Sequence, residues 1–367
     1  MANEFEKKLK ELHMLQLKEQ RKDLYKNPVL QQLFLEVTSR CNARCEHCGS
    51  RCDGNTQGDE ISADCLKNTL KEIADRYDAT NIFLAVTGGE PLMRKDLFDI
   101  MEYAVSLGFS WGITSNGMLI NKSMLKKMEK ANMATVSISI DGLEKTHEEF
   151  RKVPNSFSKI LRGIKMMQES PVIQIVQVTT VVNKKNIHEL EDLYHLLLEN
   201  GVKNWRVVNC DPIGRALDNN HILLDKNDYK YLFRFIREKQ SLGEMSDISY
   251  GCSHFVGLDL EREVRNHYFI CMAGLQIGSI LSNGDIYVCP NVPRVKELIQ
   301  GNIKTDSFVE VWENKYKYFR NGNRCACDTC KECKYWNYCA GDAMHTWNFE
   351  EKKPLICLKD VFEDIYE

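Results

Sequence analysis

The chain has 367 residues, 43% hydrophobic and 28% charged, with 49 Lys and Arg against 52 Asp and Glu. This excludes collagen-like, coiled-coil and disordered chains, and the length suits roughly two domains of about 150 residues or one large barrel with an appendage. A net charge of −3 gives no electrostatic footprint for nucleic acid or an anionic membrane, and the composition departs from the ordinary only in its 15 cysteines.

The opening MANEFEKKLKEL is charged and has no apolar stretch leading to a cleavage site, so it does not read as an export signal. No run approaches the roughly 18 apolar residues of a membrane span. The expectation is a cytoplasmic protein in a reducing compartment, where many cysteines mean metal or redox chemistry rather than disulfides. Residues 3–26, rich in Glu, Lys and Leu, predict an amphipathic helix packed on the outside of the rest of the chain.

From residue 31 short apolar runs alternate with helical stretches. Strands are predicted over 32–37, 81–86, 109–114, 134–140, 172–182 and 204–208, and helices over 62–77, 95–107, 121–131, 156–169, 186–200 and 226–240. That alternation implies right-handed crossovers and a parallel sheet. Six such units fit an open doubly wound sheet or a partial barrel, and both architectures put their chemistry at the carboxyl ends of the strands. CNARCEHC (41–48), GGEP (88–91), SNG (115–117) and DG (141–142) come after four successive strands, so they describe one rim and one site.

Beyond residue 245 the pattern changes. From Cys252 to Cys357 long helical periods are scarce and nine of the fifteen cysteines appear. The predicted organisation is an N-terminal helix over 1–30, a strand–helix domain over 31–245, and a small cysteine-rich domain over 246–367, held by metal more than by a large core.

Cys41, Cys45 and Cys48 are spaced C-x3-C-x2-C in one loop. Three thiolates so close together suit three corners of a cubane iron–sulfur cluster, with the fourth iron left for a ligand that is not protein. A closed zinc site needs a fourth protein donor, and Cys52 or His47 stands near enough in sequence to supply it. In GGEP the glycines allow close backbone approach and Glu90 puts a carboxylate on the same rim.

In CNARCEHC, GGEP, TSNG (114–117) and SISIDG (137–142), placed in this order after successive strands, the sequence resembles the radical S-adenosylmethionine superfamily. The resemblance covers most of the chain and implies an α/β fold, a partial (β/α)6 TIM-like barrel. It implies that Cys41, Cys45 and Cys48 bind a 4Fe-4S cluster whose free iron is chelated by the amino and carboxylate groups of S-adenosylmethionine. Reductive cleavage of the sulfonium then yields a 5′-deoxyadenosyl radical that abstracts hydrogen from a substrate. By the same resemblance Gly88, Gly89 and Glu90 receive the methionyl ammonium, Ser139 faces the ribose or the methionyl carboxylate, and Arg151 pairs with that carboxylate as a planar fork. Asn116 is a further cofactor-binding candidate, and His47 stands where the family often has an aromatic.

Cys271, Gly284 and Cys289, then Cys330, Cys333 and Cys339 in C-x2-C-x5-C spacing and a last Cys357, resemble the SPASM domain, which binds two auxiliary iron–sulfur clusters. GNIKTDSFVEVWEN (301–314) looks like that domain's helix. The family pattern has a further cysteine where this chain has Ala343. By analogy Cys330, Cys333, Cys339 and Cys357 hold the outer cluster, while Cys271 and Cys289 hold an inner one that lacks a partner. Cys325 and Cys327 are additional to the pattern, and at least one is expected to complete the inner cluster. C-x2-C pairs also suit a zinc module. Cys65 and Cys210 read as small buried residues, and Cys252 is unassigned.

In relatives of this kind the substrates are commonly peptides or proteins, and an external electron donor such as flavodoxin or ferredoxin supplies the first electron. A two-electron oxidation needs somewhere for the second electron to go, which favours oxidation or crosslinking of a peptide side chain. A small-molecule substrate, such as a tetrapyrrole side chain or a cofactor precursor, is the alternative, and a non-enzymatic iron–sulfur or zinc scaffold stands behind both. Pro290 succeeds Cys289 where sulfatase-maturing relatives carry a basic aspartate, which disfavours that activity. The short stretch before the first strand leaves no room for a winged-helix peptide-binding domain. Tyr287, Asp211, His254 and Asp342 are candidate substrate-side groups, and the catalytic base is unassigned.

Overall fold

The computed structural model describes residues 2–52, 60–251, 254–322 and 324–365. Ten strands form one sheet: β1 (Gln32–Glu36), β2 (Phe83–Thr87), β3 (Ser110–Ser115), β4 (Thr135–Ser139), β5 (Ile175–Val182), β6 (Asn204–Asn209), β7 (Asp247–Tyr250), β8 (Ile277–Ile280), β9 (Asp285–Tyr287) and β10 (Gly301–Asn302). Their order is β10-β9-β8-β1-β2-β3-β4-β5-β6-β7. Every pair from β8 through β1 to β7 is parallel, and only β9 and β10 turn back antiparallel. A mostly parallel sheet alternating with helices is the α/β partial-barrel arrangement that the sequence predicts.

The six predicted strands, the five helices predicted between them and the sixth after the last all form, within a few residues of the predicted bounds. Alternation explains the strands: Leu33 and Leu35 in β1, Leu84 and Val86 in β2 and Val136 and Ile138 in β4 are buried, and the residues between them are half-buried. Polar caps fix helix starts, as where the Asn121 side chain accepts from the amides of Ser123 and Met124. Buried indoles are satisfied, with Trp111 donating to the Ala131 carbonyl and Trp205 to the Thr180 hydroxyl, both at 2.8 Å.

Two features exceed the expectation. Both β7 and β8 lie beyond residue 245 and still join the parallel sheet, one at each end, so the sheet itself crosses the expected domain boundary. The C-terminal part also has a substantial apolar core. Phe308, Trp312, Tyr316 and Phe319 are buried in one cluster that continues into the barrel. Burial of apolar side chains therefore helps to hold the region together. The N-terminal helix, Ala2–Lys26, lies against the C-terminal segment, where Arg21 donates to the Tyr338 carbonyl at 3.0 Å. Among the described residues no helix is long and apolar enough to cross a membrane.

Candidate functional site

The loop after β1 carries Cys41, Cys45 and Cys48, and its neighbours hold it by backbone. The Gly89 amide donates to Thr38 O and the Glu90 amide to Arg40 O, both at 2.8 Å, so the GGE turn is zipped to the residues just before Cys41. This contact explains both glycines. A Cβ on Gly88, where φ is +153°, would stand 2.3 Å from Thr38 O, and one on Gly89 would stand 2.2 Å from Arg40 O. Their smallness thus serves the approach of two protein loops, whatever ligand they also face. From the far side the loop after β6 docks on the thiols' backbone. Arg215 donates through its amide to Cys48 O at 3.0 Å and through Nε to Cys45 O at 2.8 Å.

Glu90 is fully buried. Its carboxylate accepts from the Leu92 amide at 3.2 Å, the Ser115 hydroxyl at 2.9 Å and the Asn116 amide at 2.8 Å. Burial pushes its carboxyl above the ordinary carboxylate range despite those bonds. Asn116 in turn donates through Nδ2 to Asn42 Oδ1 at 2.8 Å, tying the loop after β3 into the thiol loop. Ser139 sits half-buried at the carboxyl end of β4, opposite Thr179 of β5.

Arg151 ends the helix Glu144–Arg151, and its carbonyl accepts from the Arg44 amide at 3.3 Å. Its Nε donates to Asp141 Oδ2 at 2.6 Å, with both side chains almost wholly buried. Burial raises the Asp141 carboxyl, and the adjoining guanidinium overrides that, so the group sits below the ordinary carboxylate range. The same positive charge is felt by the thiols of Cys41, Cys45 and Cys48. Burial pushes Cys45 up to about 11, with Arg151 acting against it. Cys48 is lowered instead, because the Cys52 thiol hydrogen-bonds to it and Arg215 lies near. His47 stacks on Phe150 at 4.6 Å between ring centroids, and its buried Nδ1 has no hydrogen-bond partner among the described residues.

The C-terminal thiols separate into two neighbourhoods. Cys327, Cys330, Cys333, Cys339 and Cys357 line one cavity of about 490 Å³. Cys271 is within electrostatic reach of both Cys289 and Cys325, and Cys325 feels Cys330 more weakly. The buried guanidinium of Arg324 holds the carbonyls of Cys271, Ala273 and Phe319. Cys65 and Cys210 stand apart from these groups, with Cys65 donating to the Ile303 carbonyl and Cys210 buried. Cys252 lies outside the described residues.

Of the four substrate-side candidates, Asp211, His254 and Asp342 come together, joined by His345. Tyr287 does not join them: its hydroxyl donates to the Pro293 carbonyl at 2.5 Å. Sequence reasoning missed Asp141 as the partner of Arg151, Arg215 as a brace, and His345. Asp141 and Arg215 were findable, because both come after strands at the rim. His345 carries no such signal.

A model of the radical SAM superfamily matches residues 35–197, and a model of an iron–sulfur cluster-binding domain, SPASM, matches residues 271–334. Among curated proteins the chain is similar to an AdoMet-dependent heme synthase of Methanosarcina barkeri, at 26% identity over 83% of this chain and 89% of that protein. It is also similar to a mycofactocin maturase of Mycolicibacterium smegmatis, at 24% identity over 85% of this chain and 77% of that protein. Among solved structures it shares the fold of anSMEcpe with bound AdoMet, with a TM-score of 0.70 at 20% identity, covering 91% of this chain and 94% of that one.

Proposed function

Because the chain carries a radical SAM domain succeeded by an iron–sulfur cluster-binding domain, we propose that it oxidises or crosslinks a side chain of a peptide or protein by hydrogen abstraction. The observation that supports this reading is the presence of two kinds of thiol site in one fold. The rim gathers three thiols beside the charge of Arg151, a donor set that suits a cluster with one open corner. The C-terminal cavity, lined by five thiols, is far roomier than a single tetrahedral ion requires. When bound at Cys41, Cys45 and Cys48, such a cluster supplies the electron that cleaves S-adenosylmethionine, taken from a donor of the flavodoxin or ferredoxin class.

The chain's own residues do the positioning. Arg151, anchored by Asp141, offers a cation to the methionyl carboxylate. Glu90 and Asn116 act mainly as positioning residues, since their hydrogen bonds hold the loops after β2 and β3 on the thiol loop. The carbonyls of Gly88 and Gly89 are the acceptors we assign to the ammonium, and Ser139 the group we assign to the ribose.

At the C-terminal sites we assign Cys330, Cys333, Cys339 and Cys357 to an outer cluster. To an inner one we assign Cys271, Cys289 and Cys325. A Cβ on Gly341 would stand 1.7 Å from the Cys325 carbonyl, so the Cys325 backbone packs on the turn that ends at Ala343, where the family pattern has its missing cysteine. Cys327 lines the outer cavity with Cys330, and the two thiols are hydrogen-bonded to each other. Replacing Cys325 by Ala should remove the inner cluster's iron while Cys327→Ala retains it, and the reverse result would refute the assignment.

A second reading, oxidation of a tetrapyrrole side chain, draws on the near full-length similarity to the heme synthase. Reduced enzyme is given S-adenosylmethionine together with either a short peptide encoded beside the gene or a carboxylated tetrapyrrole. The peptide reading expects 5′-deoxyadenosine release together with a peptide that has lost two hydrogens. Turnover of the tetrapyrrole with an unchanged peptide would overturn it.

A further inference from the structure

Four side chains outside both thiol groups converge from segments far apart in sequence. Asp211 lies just after β6, His254 just after β7, and Asp342 and His345 just after Cys339. Asp211 uses both oxygens: Oδ1 lies 2.7 Å from His254 Nε2, and Oδ2 lies 3.0 Å from His345 Nε2. One ligating atom from each of Asp211, His254 and His345 lies within 4.8 Å of the others.

The surroundings aim these atoms. His254 Nδ1 is 2.8 Å from Asp342 Oδ2, and the other oxygen of Asp342 accepts from the Phe255 amide at 2.7 Å. Asn209 Nδ2 donates to Asp211 Oδ1 at 2.7 Å, and the Tyr250 hydroxyl donates to the oxygen of that amide. Metal-ligating histidines are held in this way, since a carboxylate on the far nitrogen fixes the tautomer and makes the near nitrogen more basic. His254 is fully buried, whereas the side chains of Asp211 and His345 are 10% and 12% exposed, which leaves a path for an ion.

We propose that Asp211, His254 and His345 bind one divalent ion of the zinc class, with Asp342 orienting His254. Imidazole and carboxylate donors suit such an ion, and three protein ligands leave a fourth position for water or a substrate oxygen. The ion joins the barrel rim to the C-terminal segment. On one side, the loop that carries Asp211 also carries Arg215, which holds the backbone of Cys45 and Cys48. On the other, the Asp342 amide donates to the Cys339 carbonyl at 3.1 Å. The inference rests on these residues and not on the radical chemistry above.

The test uses full-length protein purified anaerobically with its iron–sulfur centres filled, so that the assigned thiols are occupied. After equilibration with Zn2+ and gel filtration, the expected result is about one zinc per chain, with nitrogen and oxygen neighbours at roughly 2.0–2.2 Å in X-ray absorption and no sulfur near 2.3 Å. The isosteric Asp211→Asn and the partly exposed His345→Gln should each weaken zinc binding by about tenfold or more with iron content unchanged. Wild-type protein that holds no zinc, sulfur in the zinc shell, or zinc affinity unchanged in both variants would overturn the proposal. If a variant does not fold, the wild-type stoichiometry and shell still decide it.

Discussion

The two thiol-bearing regions are built on different principles. At the rim, three cysteines share one loop whose backbone is gripped by the loops after β2 and β6, with a buried guanidinium beside the sulfurs. In the C-terminal part the thiols come from several short segments around an open cavity, and the adjoining sheet edge and helix bury apolar side chains that extend the barrel's core. Backbone grip positions the three sulfurs of Cys41, Cys45 and Cys48, with the Cys52 thiol hydrogen-bonded to Cys48 beside them; three such sulfurs suit a corner left for an exchangeable ligand. Side chains gathered around a cavity suit centres that stay in place.

Breaking the rim should therefore abolish activity and spare the other region. Replacing Cys41, Cys45 and Cys48 together by Ala is expected to reduce 5′-deoxyadenosine release to background while most of the iron per chain remains. Loss of all iron would show that the regions are not independent. Next in size is Arg151→Ala, which leaves Asp141 buried without its cation. A cost of about 3–5 kcal/mol in urea unfolding is expected, with S-adenosylmethionine binding weakened about tenfold or more. Unchanged affinity would remove Arg151 from the site.

Acid should strain the rim in a defined window. His147 is fully buried and accepts from the Asp141 amide at 3.0 Å through Nδ1. Burial and then the charge of Arg151 lower it from 6.5 to about 4. A group whose folded pKa is depressed contributes stability above its unfolded pKa and loses it as pH falls toward the folded one. Between roughly pH 6.5 and 4 the fold should lose up to about 3 kcal/mol through this group, and His147→Gln should flatten that dependence. The smallest expected effect is that of Gly89→Ala, which crowds the Arg40 carbonyl and should cost about 1–3 kcal/mol in thermal or urea unfolding. An equally large effect on auxiliary iron content would blur the contrast between the regions.

Much of this was legible in the sequence, because local periodicity carries strands and helices and because the rim is set by strand ends. The motif cysteines, Glu90 and Asn116 could be placed on the rim in that way, whereas Arg151, at the end of a helix, was proposed only from the family resemblance. What was not legible is non-local. β8 is only IGSI, and nothing in those four residues announces that it pairs with β1 at the far end of the chain. The short DISY of β7 is equally silent. Glu90 could be placed on the rim, but its commitment to Leu92, Ser115 and Asn116 depends on how three loops fold together. The meeting of Asp211 and His254 with His345 depends on the C-terminal segment closing over the barrel edge.

The central claim is that Cys41, Cys45 and Cys48 leave a corner open, and the nearest rival for that corner is Cys52, whose thiol already touches that of Cys48. Electron–nuclear double resonance on the reduced enzyme with S-adenosylmethionine labelled with 15N at its amino group tests this directly. The account predicts a 15N coupling to the cluster that persists in Cys52→Ala and vanishes when Cys41, Cys45 and Cys48 are replaced. A reduced rim cluster with no 15N coupling, or one that acquires it only after Cys52 is removed, would contradict it.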